Sequence, residues 1–192
     1  SFWFNERSIV DKMTQYDGSM PLRLWIDGGS KEGGVTNIGT SGVIADARVF
    51  RLAALQHGMI PGQNLGYLED MGAEHNEWWW SQRLHSILAF LLSDDDLSQE
   101  TPDRLALQIA WPQIDVGEVT AYAVELGYRG IYRMSFPTIG GASGSFSNFG
   151  AGVTGHNVAE GQGYFYGVME GPVRVQATVG VLKNSAVVVV TA

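Results

Sequence analysis

The sequence predicts an α/β layer in the first half of the chain and an all-β sandwich in the second half. Strand and helix signals alternate before residue 93, which is the pattern of an α/β layer. After residue 103, short extended runs follow one another between Gly, Pro and Asn residues, with no helical pattern. A polar stretch from Asp94 to Pro102 separates these two textures and predicts a linker. The predicted boundaries are an α/β part over 1–93, a linker over 94–103 and a sandwich over 104–192.

The first part is predicted to contain two short strands and two helices. The strands are predicted over 22–26 and 66–68, and the helices over 45–57 and 77–92. Asp46 is the predicted N-cap of the first helix, whose Val49, Leu52 and Ala53 share one face. The second helix carries one apolar stripe, which we expect to face a sheet. That stripe consists of Trp80, Leu84, Ile87, Leu88 and Leu91.

The second part is predicted to form an immunoglobulin-like sandwich of six or seven strands. The extended runs cover 105–110, 119–126, 130–136, 163–169, 173–181 and 186–190. The run from Val173 alternates apolar and polar residues, which predicts a strand with one buried face. Lys183 and Asn184 are predicted to form a two-residue hairpin turn, and the Gly- and Ser-rich segment 140–155 a long loop or a weak pair of strands.

Composition excludes several classes of function. The net charge is -8 and the basic residues form no cluster, so we expect no nucleic-acid binding. The longest apolar runs, 87–92 and 186–190, fall far short of the ~20 residues that a membrane span requires. The chain has no cysteine and its four histidines are scattered, so we expect neither a metal site nor a disulfide. No dinucleotide motif is present, and no cofactor is expected.

Two stretches carry the candidate chemistry. His75 lies in a short loop directly before the helix 77–92, where a general base could reach a nucleophile held on another element. The alternative is a histidine that merely caps this helix or hydrogen-bonds locally, and the residues alone leave both interpretations open. Acidic residues follow the strand at 22–26, where a carboxylate could orient such a histidine. For any single one of Asp27, Glu32 and Asp46, a solvated loop acid is the more common role.

Together these stretches resemble the putative esterase family of α/β hydrolases, the group of enterochelin-esterase-like enzymes. The resemblance covers residues 1–93 and rests on four segments. They are the opening Ser1-Phe2-Trp3-Phe4-Asn5, the strand and turn 24–33, the helix around 48–58, and Gly72-Ala73-Glu74-His75-Asn76-Glu77 with the following Trp80 and Arg83. The resemblance implies part of a three-layer α/β-hydrolase domain.

The resemblance also implies roles for single residues. His75 would be the catalytic general base, and Glu32 the triad acid, with Asp46 as second choice. Asp27 would brace the turn through its own hydrogen bonds. The substrate would be a small-molecule carboxylic ester.

The family's Gly-x-Ser-x-Gly nucleophile motif does not occur in the sequence. The segments beginning at Gly39 and Gly141 both lack the closing glycine, and Ser143 is predicted to be a loop serine. We therefore expect the chain to be an inactive piece of a longer protein, with the nucleophile, the oxyanion hole and any targeting signal upstream. An extracellular or periplasmic location is expected. Residues 1–93 in isolation should expose apolar surface and aggregate or fold poorly.

A second function is a non-catalytic surface module that binds carbohydrate or protein through the sandwich. Six aromatic residues could form a carbohydrate-binding face, although aromatic residues in strands more often lie in the core. They are Tyr122, Tyr128, Tyr132, Tyr164, Phe165 and Tyr166. The second part also resembles the accessory β-sandwich modules of secreted hydrolases, a resemblance of architecture alone.

Overall fold

The computed structural model describes residues 8–33, 42–135, 144–149, 153–159 and 162–192. The described elements of the first part are α1 (Ser8–Met13), β1 (Leu24–Gly29), α2 (Gly42–Gln56), β2 (Leu65–Asp70) and α3 (Glu77–Leu92). Every later described element is a strand. These are β3 (Arg104–Ile109), β4 (Gln113–Asp115), β5 (Val119–Tyr128), β6 (Tyr132–Ser135), β7 (Gly144–Phe149), β8 (Val153–Ala159), β9 (Gln162–Gly167), β10 (Gly171–Val179) and β11 (Leu182–Thr191).

The first part is a parallel strand pair between helices. β1 pairs with β2 from Leu24 opposite Leu65 to Gly29 opposite Asp70. Side chains on one face of the pair, such as Ile26, pack with α1 and α2. On the other face Trp25 contacts Phe90 of α3, with ring centroids 5.6 Å apart. The described residues therefore form a mixed α/β arrangement, and the complete three-layer hydrolase fold stays a prediction.

The predicted orientation of α3 is wrong. The stripe expected to face a sheet is largely exposed, with Trp80 40%, Leu84 49%, Leu88 45% and Leu91 38% exposed. The buried face instead carries Arg83, Ser86 and Phe90, at positions i, i+3 and i+7. Polar contacts hold this face inward: Arg83 donates to Glu32 in the turn after β1, and Ser86 donates to the carbonyl of Ile131 in the turn before β6.

The predicted face and cap of α2 are also wrong in part. The helix begins at Gly42, so Asp46 lies inside it and is not its N-cap. Val49 and Leu52 are half exposed, whereas Ala53 is buried as predicted. Ala47 and Ala54 are fully buried, because small side chains let the helix approach the strands closely.

The strands of the second part form two sheets that share one hydrophobic core. One sheet has the order β3-β5-β9-β8, with β6 paired to β5, and the other has the order β4-β11-β10-β7. Tyr122 and Val124 from the first sheet and Val175 and Val188 from the second lie in the same core. The predicted alternation of β10 is confirmed by its burial pattern.

Two local predictions in this part fail. The hairpin between β10 and β11 turns at Gly180 and Val181, where Gly180 has φ +58°, and Lys183 belongs to β11. The segment 140–155 contains β7 and the start of β8, which pair with β10 and β9 in different sheets and not with each other. Ser143 lies outside the described residues, together with residues 140–142 and 150–152 of this segment.

The α/β part packs directly on the outer face of the β3-β5-β9-β8 sheet. All residues of β5 after Val119 are buried, which is the pattern of a strand that is covered on both faces. Met71, directly after β2, packs there with Ala110, Ala121 and Ala123. The predicted linker contains no described helix or strand, yet its Leu97 is fully buried in the sandwich core. Within the described ranges no helix has the length and apolarity that a membrane span requires.

Candidate functional site

The helix-capping role that the sequence left open for His75 belongs to its neighbour. Asn76 is the N-cap of α3, and its side chain accepts a hydrogen bond from the backbone N–H of Trp79 at 3.2 Å. His75 precedes this cap, and its side chain is 70% exposed. The imidazole is therefore free of a capping role and open to solvent.

The loop that carries His75 is attached to the turn that follows β1. The backbone N–H of Lys31 donates to the carbonyl of Ala73 at 2.9 Å, and that of Gly72 donates to Ser30 Oγ at 2.7 Å. Gly29 is required here, because a Cβ at this position would lie 2.4 Å from the oxygen of Ala73. The two loops meet at the C-terminal ends of β1 and β2, where α/β sheets place their active sites.

Within this loop pair the structure brings Glu32 and His75 together. Glu32 Oε2 lies 3.2 Å from His75 Nδ1, and the carboxylate is almost fully buried. Its Oε1 accepts hydrogen bonds from the backbone N–H of Gly29 at 3.0 Å and from Arg83 Nη2 at 2.8 Å. Because an ionised carboxylate can only accept, a hydrogen bond across this contact needs the His75 ring proton on Nδ1, which leaves Nε2 of the neutral ring as an acceptor.

Arg83 connects this pair to a second carboxylate. Its side chain is 2% exposed, and its Nε lies 3.2 Å from Asp27 Oδ2 in an ion pair without hydrogen-bond geometry. Burial raises the pKa of Asp27, and the charge of Arg83 opposes that rise. The turn-bracing role predicted for Asp27 is performed by Glu32, which accepts the N–H of Gly29. Two carboxylates and one guanidinium leave a net negative charge beside His75 when all three are ionised.

Arg83 is the site residue that reasoning from the residues missed. Arg83 belongs to a segment that carries the family resemblance, but the resemblance implies no role for it. The signal in the sequence was a cation among the apolar positions of α3. If such an arginine is buried, it requires a carboxylate partner, and Glu32 and Asp27 were candidates.

The remaining candidates are Asp46 and the segments 1–5 and 39–41. Asp46, the second choice for the acid, is a buried residue within α2, and the carboxylate recorded beside His75 is that of Glu32. The opening segment 1–5, and residues 39–41 of the first serine segment, lie outside the described residues. Among the residues that the structure describes, no three His, Asp or Glu side chains are grouped to hold a metal ion.

The aromatic residues of the sandwich lie mainly in its core. Tyr122, Tyr128, Tyr132 and Phe165 are buried, and the Tyr122 and Phe165 rings are stacked 4.6 Å apart. Tyr166 is 40% exposed. The six residues therefore do not form one exposed face, and carbohydrate binding stays a prediction.

Asp70, at the end of β2, provides a test of the electrostatics beside the His75 loop. The residue is buried, its Oδ1 lies 3.3 Å from Arg133 Nη2, and burial raises its pKa above the ordinary 3.8 despite that cation. The native state therefore binds this proton more tightly than the unfolded chain does. Its contribution to stability is present below pH 3.8 and is lost as the pH rises through the native pKa.

Replacing Asp70 by asparagine removes this dependence. We expect the free energy of unfolding of Asp70→Asn, relative to wild type, to increase as the pH is raised from about 4 towards neutral. Urea denaturation followed by circular dichroism at several pH values measures this difference. A relative stability that stays constant or falls over the range contradicts the assignment.

Comparison with known proteins does not assign the chain to a family. No family model and no curated protein matches the chain. Among solved structures, one similar chain is the crystal structure of the S-layer protein SbsC domains 4 and 5, with 16% sequence identity and a TM-score of 0.36. The match covers 48% of this chain and 53% of that chain, so it spans about half the length of that structure.

Proposed function

We propose that the chain supplies the acid and the histidine of a serine-esterase triad, in an α/β hydrolase similar to the enterochelin-esterase-like family. The substrate is a small-molecule carboxylic ester. The observation that carries the proposal is the 3.2 Å contact between the buried Glu32 carboxylate and the Nδ1 atom of the exposed His75. An orienting acid on Nδ1 and an open Nε2 are what a general base requires.

The chemistry follows from this geometry. His75 Nε2 takes the proton of a serine hydroxyl as its oxygen attacks the ester carbonyl, and Glu32 stabilises the resulting imidazolium. As the tetrahedral intermediate collapses, the C–O bond to the alcohol breaks and the imidazolium returns the proton to the leaving alcohol. Water, activated in the same way by Nε2, then hydrolyses the acyl-enzyme and regenerates the serine.

The proposal includes a nucleophile from another segment of a longer protein, because the sequence contains no Gly-x-Ser-x-Gly. Two features support a larger domain. Among the described strands β1 pairs only with β2, whereas sheets in globular domains normally have more than two strands. The stripe of Trp80, Leu84, Leu88 and Leu91 on α3 is an exposed apolar surface of the kind that a further part of a domain covers.

We also propose that the second part is an immunoglobulin-like sandwich. The order β3-β5-β9-β8 corresponds to the A-B-E-D sheet of that fold, and β11-β10-β7 corresponds to G-F-C. The parallel pairing of β4 with β11 adds a first-strand segment to the second sheet. This architecture supports no activity by itself.

A serine-directed fluorophosphonate probe tests the proposed function. The full-length gene product should be labelled on the serine of an upstream Gly-x-Ser-x-Gly and should hydrolyse p-nitrophenyl butyrate. The 192-residue chain alone should be neither labelled nor active. A full-length product that is not labelled and cleaves no ester would contradict the proposal, as would hydrolysis by the chain alone.

A further inference from the structure

Side chains of the sandwich hold the start of the His75 loop. Gln108, on β3, accepts a hydrogen bond from the backbone N–H of Met71 through Oε1 at 3.0 Å. Its Nε2 donates to Glu125 Oε2 at 2.6 Å, and Glu125 is 2% exposed. Because the Glu125 carboxylate only accepts, it fixes which end of the Gln108 amide faces the loop.

Arg133, on β6, holds the residue before Met71. Its Nη2 donates to Glu125 Oε2 at 2.8 Å and lies 3.3 Å from Asp70 Oδ1. The carbonyl of Asp70 in turn accepts the N–H groups of Ser30 and Ala73, each at 3.1 Å. One buried carboxylate of the sandwich, Glu125, therefore orients two side chains that reach the loop.

Apolar and cationic contacts reinforce this junction. Met71 is 7% exposed and packs against alanines of the sandwich. The ammonium of Lys31, beside Glu32, lies 4.2 Å from the centroid of the Trp111 ring. Both loops of the candidate site are thus in contact with the sandwich, at the residue directly before Glu32 and four residues before His75.

We propose that Gln108 is a positioning residue for His75: through Met71 it fixes the loop so that the imidazole meets Glu32. The sandwich is then part of the catalytic unit and not a tethered accessory module. The catalytic meaning of this inference rests on the proposed function, whereas the contact between Gln108 and Met71 does not. A methionine at position 108 has similar length but neither hydrogen bond.

The test compares Gln108→Met with Gln176→Met in the full 192-residue chain. Gln176 is a matched control, because it is a half-buried strand glutamine that donates to Thr178 in the other sheet. Hydrogen exchange of the Met71 amide and the ¹⁵N shifts of the His75 ring are measured by NMR. In Gln108→Met, Met71 exchange should accelerate by up to about tenfold, and the fraction of neutral His75 with its proton on Nδ1 should fall. Gln176→Met should match wild type in both.

A second variant keeps the test decisive if Gln108→Met folds poorly. Arg133→Lys retains the charge beside Glu125 but lacks the planar guanidinium that reaches both Glu125 and Asp70. This variant should therefore also lower the fraction of neutral His75 that carries its proton on Nδ1. If both variants keep the wild-type tautomer of His75, the positioning role of Gln108 is overturned and the Glu32–His75 pair is not. Wild-type protein without the Nδ1–H form would overturn the Glu32–His75 pair and this inference together.

Discussion

Replacing His75 by alanine is expected to lower kcat of the full-length protein on p-nitrophenyl butyrate by about 10⁴-fold or more. Without Nε2 the attacking hydroxyl keeps its proton, and the leaving alcohol receives none. KM should change little, because the proposed role of the imidazole is exerted mainly in the transition state. Steady-state kinetics of purified wild-type and variant protein measure both constants.

His85→Ala is the matched control for this variant. His85 is exposed on α3, the helix that follows the His75 loop, and its loss should leave kcat within about twofold of wild type, since surface substitutions away from special features are nearly neutral. A kcat for His75→Ala within tenfold of wild type, in a protein that hydrolyses esters, would show that the base is another residue.

Replacing Arg83 by methionine is expected to lower the free energy of unfolding by about 3–5 kcal/mol, the usual cost of removing one partner from a buried ion pair. Arg83 is 2% exposed and is the cation recorded between Glu32 and Asp27. Methionine fills a similar volume, but it leaves both carboxylates without their cation. Urea denaturation of the 192-residue chain, followed by tryptophan fluorescence, measures the loss.

Two further variants separate charge from packing. Arg174→Met, at an exposed position of β10, should change stability by less than about 0.5 kcal/mol. Adding Asp27→Asn and Glu32→Gln to Arg83→Met should restore part of the lost free energy of unfolding, because these changes remove the two unpaired carboxylate charges. A loss below about 1 kcal/mol for Arg83→Met would contradict a buried electrostatic role.

Local signals in the sequence predicted the elements around the site well. The helix after His75 has its predicted bounds, Glu77–Leu92, because an asparagine cap and a continuous run of helix-compatible residues define it. The strand before Glu32 and the glycine turn follow from a short apolar run and a position that tolerates no side chain. The proximity of Glu32 to His75 came from the family resemblance, since 43 residues separate them in sequence.

Features that depend on tertiary partners could not be predicted. The buried face of α3 is held inward by Arg83 and Ser86, and their partners lie 51 and 45 residues away. An apolar stripe alone indicated the opposite face, because hydrophobic periodicity cannot show which surface lacks a neighbour. The burial of Glu125 likewise depends on the α/β part that covers this sheet, and its contacts to Gln108 and Arg133 depend on the pairing of β5 with β3 and β6.

The tautomer of His75 tests the central claim most directly. In ¹⁵N-labelled wild-type chain at about pH 9, where an ordinary histidine is neutral, donation to Glu32 requires the ring proton on Nδ1. His57 and His85 provide reference shifts in the same spectrum. A predominant Nδ1–H form at His75 is the expected result. A His75 ring protonated mainly on Nε2 would contradict the account.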